Sequence, residues 1–361
     1  MLITHLTKIR LHNYRSFGAE EQIIPIDDMT AFIGNNSTGK TAALAALNCM
    51  FSDNNSDRVL KRSDFHLPKD MKPDELEYQD LFIEAVFGFD ELEDEGTGGK
   101  STVPSFFRCM VVGVPDGVPY LRIRLEATWE KSNNIEGAIE SKMYFITCPE
   151  NEIITEDKKI PANRRELDQI RVLYVPAARD PSRQLRNVSG TMIYQIMNSI
   201  NWSDDTKNNV FIKIEELNAI FMQESGISIL GNSIHSQWKA YDSDVRYSNA
   251  RLRFNSTDLD SAIKKSEVVF LPTETGKEYT IDQMGDGLRS LFYISLVDSI
   301  LEVESKMQKE MEADPTHTSF NRRPPVLTII ALEEPENHIA PHLLGKLIAN
   351  LENRGFGLLE F

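Results

Sequence analysis

The stretch GNNSTGKT, residues 34–41, matches the pattern G-x-x-x-x-G-K-[ST] at every fixed position. Residues 30–33 before it have the composition of a short strand, and Leu44, Leu47 and Phe51 after it fall at helical spacing. A strand, a glycine-rich turn and a helix in this order are the surroundings that a phosphate-binding loop needs. The stretch therefore predicts a strand–loop–helix unit that binds the phosphates of a nucleotide.

Each part of this loop has a physical task in that interpretation. Small residues let backbone N–H groups close around the β-phosphate, and the start of the helix adds partial positive charge. Lys40 reaches the β- and γ-phosphates, and the Thr41 hydroxyl holds Mg²⁺. The alternative is an ordinary glycine-rich turn with a solvated lysine, which the flanking strand and helix disfavour. The predicted nucleotide-contacting residues are Gly34, Asn35, Asn36, Ser37, Thr38, Gly39, Lys40, Thr41 and Ala42.

An apolar run, residues 326–332, ends in the acidic string Glu333-Glu334-Pro335-Glu336. A nearly continuous apolar run is typical of a buried parallel strand, and ligands bind at the carboxyl ends of such strands. Successive side chains of a strand point in opposite directions. We therefore expect Glu333 to lie on the Mg²⁺ side and Glu334 to be the catalytic residue that orients or deprotonates water. The alternative is an acidic surface turn after a core strand.

A second glycine turn, residues 283–290, opens a long amphipathic helix about forty residues before the acidic strand. Gly285 and Gly287 in this turn would expose backbone N–H groups to an anion. The alternative needs no ligand, because Asp286 can serve as an ordinary helix N-cap.

Together these motifs resemble those of ATP-binding-cassette (ABC) ATPases of the SMC, RecF and OLD (overcoming lysogenization defect) type. Residues 9–17, IRLHNYRSF, resemble the opening strand of that group. Residues 34–41 resemble its Walker A loop, residues 283–290 its signature motif and residues 332–336 its Walker B strand end. The Glu-Glu-Pro-Glu-x-His string at 333–338 is closest to OLD-family ATP-dependent nucleases, which include effectors of bacterial antiphage defence.

The resemblance implies an α/β fold, an ABC-type P-loop ATPase head with a mixed β-sheet core and inserted β-rich and helical segments. It also implies that two heads sandwich two ATP molecules with Mg²⁺, so that Gly285 and Gly287 of one head complete the site of its partner. ATP then controls assembly of a homodimer or higher oligomer and its engagement of DNA. Arg10 and Arg15 are implied to approach the adenine or the ribose.

Two departures from the OLD pattern shape the expected function. Only 27 residues follow Glu334, with no switch histidine beyond His342, so we expect slow or absent ATP turnover. No Toprim nuclease domain follows, so we expect an ATPase portion whose nuclease is a separate partner or a missing C-terminal domain. The D-x-D strings at 242–244 and 258–260 precede the signature turn in polar stretches, where we expect solvated loops.

The pattern along the chain suggests one ATPase domain made of four parts. We expect a Walker A lobe over residues 1–60, a β-rich insertion over 61–165, a helical segment over 180–265, and a signature and Walker B lobe over 266–361.

Two further groups of residues have a structural interpretation that needs no ligand. His338 and His342 fit a helix start better than a metal site, and Arg179, Arg183 and Arg186 fit a salt-bridged helix face better than a DNA contact.

Composition sets the remaining expectations. The 361 residues are 41% hydrophobic and carry a net charge of −16, which argues against nucleic-acid binding by the overall field of the protein. We expect no membrane-spanning segment and no secretion signal, since no apolar run reaches 18 residues. Three scattered cysteines, Cys49, Cys109 and Cys148, fit small buried residues in a protein of the reducing cytoplasm.

Three other functions remain open at this point. A RecF- or SMC-like repair ATPase would use the same motifs without a nuclease, although long heptad arms of the SMC kind are absent from the sequence. A non-hydrolysing scaffold would use ATP only to dimerise. A metabolite kinase is disfavoured by the 293-residue gap between Lys40 and Glu333 and by the signature-like turn.

Overall fold

The computed structural model describes residues 4–35, 38–89, 118–134, 136–175, 193–241, 258–271, 277–333, 345 and 357–360. The chain divides into two compact units. The first unit contains residues 1–179 and 324–361, and the second contains residues 180–323. The predicted phosphate loop and acidic strand end both belong to the first unit.

The first unit contains a six-stranded antiparallel sheet with the strand order β2-β1-β4-β5-β6-β7. The N-terminal strand β1 pairs with β4, so the strands from the 78–161 region extend a sheet that begins at the N-terminus. The strands are β1 (Thr4–His12), β2 (Gln22–Pro25), β4 (Tyr78–Phe89), β5 (Leu121–Glu130), β6 (Ala138–Ile146) and β7 (Lys159–Pro161).

Alternation along these strands builds the core. Ile9, Ile83 and Ile123 are almost fully buried, and each lies two residues from another apolar residue that faces the same side of the sheet. Helix α1 (Lys40–Phe51) covers this face, and its Phe51 ring meets the Phe87 ring edge to face, with 5.9 Å between the ring centroids.

Glu84 of β4 lies at the centre of a buried cluster of charged side chains. Arg122 Nε donates to Glu84 Oε1 at 2.9 Å, Arg122 Nη2 donates to Oε2 at 3.2 Å, and Arg124 also donates to Oε2. Arg10 approaches Oε1 at 3.4 Å. Burial alone would raise the pKa of Glu84, but the arginine charges and hydrogen bonds outweigh it and hold that pKa below its ordinary value.

A four-stranded parallel sheet in the same unit has the order β3-β12-β11-β8. Its strands are β3 (Met29–Ala31), β8 (Ile170–Val175), β11 (Leu327–Leu332) and β12 (Gly357–Glu360). All six residues of β11 are buried, as the apolar run predicted. The predicted α/β class with a mixed β-sheet core is confirmed.

One local prediction is corrected here. The strand expected over residues 30–33 ends at Ala31. Ile33 is 96% exposed, so its side chain does not pack against the sheet. The chain leaves the sheet before Gly34, so the loop starts from an open segment rather than from the end of a strand.

The second unit is mainly helical in the parts that the structure describes. Residues 193–198 are helical, followed by α3 (Asp204–Gln223), α4 (Ser225–Tyr241) and α5 (Leu259–Lys264). A two-stranded antiparallel pair, β9 (Val269–Phe270) and β10 (Tyr279–Thr280), precedes the long helix α6 (Asp286–Ala313). The short helix α2 (Arg164–Leu167) belongs to the first unit. Among the described helices, none is long and apolar enough to cross a membrane.

Two of the cysteines behave as the sequence predicted. Cys49 and Cys148 are buried free thiols. Burial raises the pKa of Cys49 to about 12, so its thiol stays protonated and unreactive at neutral pH. Cys109 lies outside the described residues.

Candidate functional site

The phosphate loop turns into helix α1 at Gly39. This residue has a φ of +102°, in the left-handed region that favours glycine. A Cβ atom there would also lie 2.8 Å from Phe17 Cζ and 3.1 Å from Ser16 Oγ. Glycine is therefore required at position 39 for two reasons: its backbone conformation and the close approach of residues 16–17. Since α1 begins at the next residue, the N–H groups of its first turn face the loop.

The side chain of Lys40 folds back onto the loop that precedes it. Its Nζ donates a hydrogen bond to the carbonyl oxygen of Gly34 and a longer one, at 3.4 Å, to that of Asn35. Thr38 Oγ1 donates to the same Asn35 oxygen at 2.9 Å. The ammonium group thus lies against the carbonyl oxygens of the loop backbone. Ala42 is buried in the core, so only its backbone N–H is available to a ligand.

Thr41 and Glu333 meet, although the sequence separates them by 292 positions. Thr41 is the second residue of α1, and Glu333 directly follows β11. The Thr41 hydroxyl donates a hydrogen bond to Glu333 Oε1. A hydroxyl and a carboxylate at the start of a helix form the oxygen donor set that suits Mg²⁺, so the residues present fit this ion.

Tyr174 completes this group and was missed by the sequence analysis. Its hydroxyl donates to Glu333 Oε2 at 2.6 Å. Burial raises the pKa of Tyr174, and the hydrogen bond and charge of Glu333 raise it further, so the hydroxyl remains a donor at neutral pH. The sequence shows a tyrosine near the carboxyl end of a mostly apolar strand, IRVLYV, residues 170–175. Nothing in this stretch indicates which residue the tyrosine hydroxyl contacts.

Arg15 and Asp64 form a clamp that joins two segments of the chain near the phosphate loop. Arg15 Nε donates to Asp64 Oδ1 at 2.9 Å, and the Arg15 backbone N–H donates to the Asp64 carbonyl oxygen at 2.8 Å. Asn13 and Arg15 both have a φ of +49°, a strained value for residues other than glycine. The clamp fixes the turn that places Phe17 against Gly39. Of the two arginines implied to approach the base or ribose, Arg10 pairs with Glu21 and Arg15 with Asp64.

The signature-like turn lies in the second unit and forms an ordinary helix start. Gly285 is the N-cap of α6, and its carbonyl oxygen accepts from the N–H groups of Leu288 and Arg289 at 3.0 and 3.1 Å. The N-cap is thus Gly285 and not Asp286, which is the first helical residue. Gly287 follows in the exposed first turn of α6.

The carboxylates of the described D-x-D string have structural tasks. Asp258 caps α5 by accepting from the Ser261 N–H at 2.9 Å, and Asp260 pairs with Lys264 at 2.6 Å. No cluster of three or more metal-ligating side chains occurs within the described parts of the chain. Several predicted residues lie outside those parts: Asn36, Ser37, Arg179, Arg183, Arg186, Asp242, Asp244, Glu334, His338 and His342.

Comparison with known proteins adds to this geometry. A family profile described as an AAA ATPase domain matches residues 5–110, the segment that contains the phosphate loop. The chain resembles the Pyrococcus furiosus SMC head domain bound to the C-terminal domain of ScpA at 12% identity, covering 99% of this chain and 89% of that one, with a TM-score of 0.44. It resembles the recombination mediator RecF with ATP at 12% identity, covering 100% and 93%, with a TM-score of 0.40. No curated protein sequence matches. The family match supports an ATPase.

Proposed function

We propose that this chain is a Mg²⁺-dependent, ATP-binding and ATP-hydrolysing module of the ABC type. The observation that carries the proposal is the meeting of Thr41 and Glu333 beside Lys40. A phosphate loop and an acidic strand end that lay far apart could not serve one nucleotide. Here the start of the helix and the end of the strand share one carboxylate–hydroxyl contact.

Each residue of the site has a separate role in this proposal. Backbone N–H groups of the loop and of the first turn of α1 bind the phosphates, and Lys40 supplies a positive charge to the β- and γ-phosphates. Thr41 and Glu333 hold Mg²⁺, which neutralises charge on the phosphates when bound. Glu334 orients the attacking water or takes its proton.

Nucleotide binding with a matched pair of lysine variants tests the proposal. Lys40→Ala removes the loop ammonium, and Lys69→Ala removes an exposed lysine of the same unit as a control. We expect Mg·ATP binding by the unchanged protein and by Lys69→Ala, and a loss of at least about tenfold in Lys40→Ala. Equal binding by Lys40→Ala, with an unchanged melting temperature, would contradict the proposal.

We further propose that the module belongs to an OLD-like DNA-processing or antiphage-defence system of the cytoplasm. The support is the Glu-Glu-Pro-Glu-x-His string at 333–338. In this proposal ATP drives head dimerisation, which controls engagement of DNA by a Toprim nuclease in a separate partner or a further domain. The net charge of −16 makes DNA contact by the overall surface unfavourable, so it requires a local basic patch or the nuclease partner.

Three measurements, of DNA cleavage, ATP hydrolysis and dimerisation, separate this proposal from its alternatives. Metal-dependent DNA cleavage by the chain together with the product of a neighbouring gene supports the nuclease system. DNA-stimulated ATP hydrolysis without any cleavage supports a RecF- or SMC-like repair ATPase instead. ATP-dependent dimerisation without phosphate release supports a scaffold and would contradict hydrolysis.

A further inference from the structure

The structure assigns to Tyr174 the role of a positioning residue that sets the orientation of the Glu333 carboxylate toward Mg²⁺. This inference rests on the proposed function, since Glu333 is taken as the residue on the metal side. In this inference Tyr174 is not itself a ligand of the nucleotide or of the metal. It acts through its hydrogen bond to Glu333 Oε2.

Strand register explains how this tyrosine reaches the acid. In the parallel pair of β8 and β11, Tyr174 lies beside Ala331, and the pairing ends at Leu332 beside Val175. Tyr174 and Ala331 are paired neighbours, so their side chains lie on the same face of the sheet. The hydrogen bond from Tyr174 shows that the Glu333 side chain reaches this face. Because Ala331 is small and fully buried, it leaves room for the phenol ring to extend past it toward Glu333.

Glu333 needs such support because it lies one residue beyond the strand. Its backbone is a bend outside the β11 ladder, so the sheet alone does not fix its side chain. Two hydroxyls hold the carboxylate from two elements, with Thr41 of α1 on Oε1 and Tyr174 of β8 on Oε2. With Oε2 held by Tyr174, Oε1 is directed at the Thr41 hydroxyl, where the two oxygens would meet the ion.

In metal sites generally, the residues that hydrogen-bond to the ligands increase the affinity for the metal. They orient the ligand before the ion arrives, and their removal costs about 10–100-fold in metal affinity or activity. Tyr174→Phe removes one oxygen atom and keeps the ring that packs against the core.

The test is the Mg²⁺ dependence of nucleotide binding. We expect the Mg²⁺ concentration for half-maximal binding of a non-hydrolysable ATP analogue to rise about tenfold in Tyr174→Phe. Binding of the same analogue in EDTA should be unchanged, because the loop and Lys40 are untouched. Tyr78→Phe, at a half-exposed tyrosine of the same unit, is the matched control and should titrate like the unchanged protein.

A double-mutant cycle separates positioning from a general structural effect. If Tyr174 acts through Glu333, then Tyr174→Phe should have no further effect on the Mg²⁺ titration in a Glu333→Gln background. An additive effect in that background would overturn the inference, as would an unchanged or lower Mg²⁺ requirement in the single variant. A Tyr174→Phe variant that also loses metal-free binding would show a merely structural role and overturn it too.

The outcome also distinguishes this inference from the proposed function. If the unchanged protein shows no Mg²⁺-dependent nucleotide binding, the proposed function fails and the inference fails with it. If the unchanged protein binds Mg·nucleotide and Tyr174→Phe titrates identically, only the inference fails.

Discussion

The Thr41 hydroxyl donates a hydrogen bond to Glu333 Oε1, which joins the first turn of helix α1 to the end of strand β11. The two residues come from opposite ends of the chain, and the parallel sheet with the order β3-β12-β11-β8 brings them together. The contact is made by the fold of the chain itself. The fold therefore holds the two oxygen atoms proposed for Mg²⁺ close enough together to serve one ion.

Removing the Thr41 hydroxyl should weaken the metal dependence of nucleotide binding. Thr41→Val keeps the shape of the side chain and loses its oxygen, so we expect Mg²⁺ to strengthen ATP binding at least about tenfold less than in the unchanged protein. Thr41→Ser retains the hydroxyl and serves as the control. The measurement is calorimetric titration with ATP analogue in Mg²⁺ and in EDTA. A Thr41→Val variant with full metal dependence would remove Thr41 from the site.

The local parts of this site could be predicted from sequence because their signals are local. The glycine loop, the helix after it and the apolar strand before Glu333 each have a pattern within about ten residues. Order along the chain then suggested that they meet. The structure confirms that the loop and Glu333 belong to one unit.

Contacts between distant segments could not be predicted in the same way. A tyrosine in an apolar strand does not reveal that it will meet an acid 159 positions away. The burial of Glu84 among three arginines depends in the same way on strand register. Register follows from the packing of the whole sheet, and a one-residue slip would move every one of these side chains to the other face.

Gly39→Ala should damage both stability and binding. The left-handed backbone and the clash with Phe17 together predict a loss of about 1–3 kcal/mol in the free energy of unfolding, with weaker ATP binding. Gly226→Ala is the control, because a Cβ atom added there would meet no described heavy atom within 4 Å and helix α4 tolerates alanine. Urea unfolding measures the first effect and ATP titration the second. Recovery in Gly39→Ala/Phe17→Ala would assign the loss to the clash rather than to the backbone.

Glu334→Gln should separate ATP binding from hydrolysis. The amide cannot accept a proton, so we expect ATP hydrolysis to fall about 10²–10⁴-fold while binding is retained. Glu152→Gln changes an exposed acid of the same unit and should hydrolyse ATP at the unchanged rate. Phosphate release at saturating ATP is the measurement. Full hydrolysis by Glu334→Gln would assign the water-activating role to another residue.

Mixing two inactive variants tests whether Gly287 acts on the partner head. Lys40→Ala disables the phosphate loop, and Gly287→Asp places a negative charge at the proposed signature turn, where a helix start tolerates it. Random mixing of equal amounts gives about half heterodimers with one intact site of two, so about a quarter of the full ATPase activity should return. Activity that stays at the level of the separate variants would contradict action between heads.

Glu84→Gln should reveal how much of the first unit depends on its buried charge cluster. The change leaves Arg122, Arg124 and Arg10 without their shared counter-charge, so we expect a loss of about 3–5 kcal/mol in the free energy of unfolding at neutral pH. Glu140→Gln, at an exposed acid of β6, is the control and should lose little.

The sign of the pH dependence follows from the lowered pKa of Glu84. An acid whose folded pKa lies below its ordinary value of 4.5 stabilises the fold above that value and loses this contribution as pH falls through the folded pKa. The difference in unfolding free energy between the unchanged protein and Glu84→Gln should therefore be largest near pH 7 and shrink toward about pH 3. Urea unfolding at both pH values measures it. A difference that stays constant with pH would mean that Glu84 is held by packing rather than by its charge.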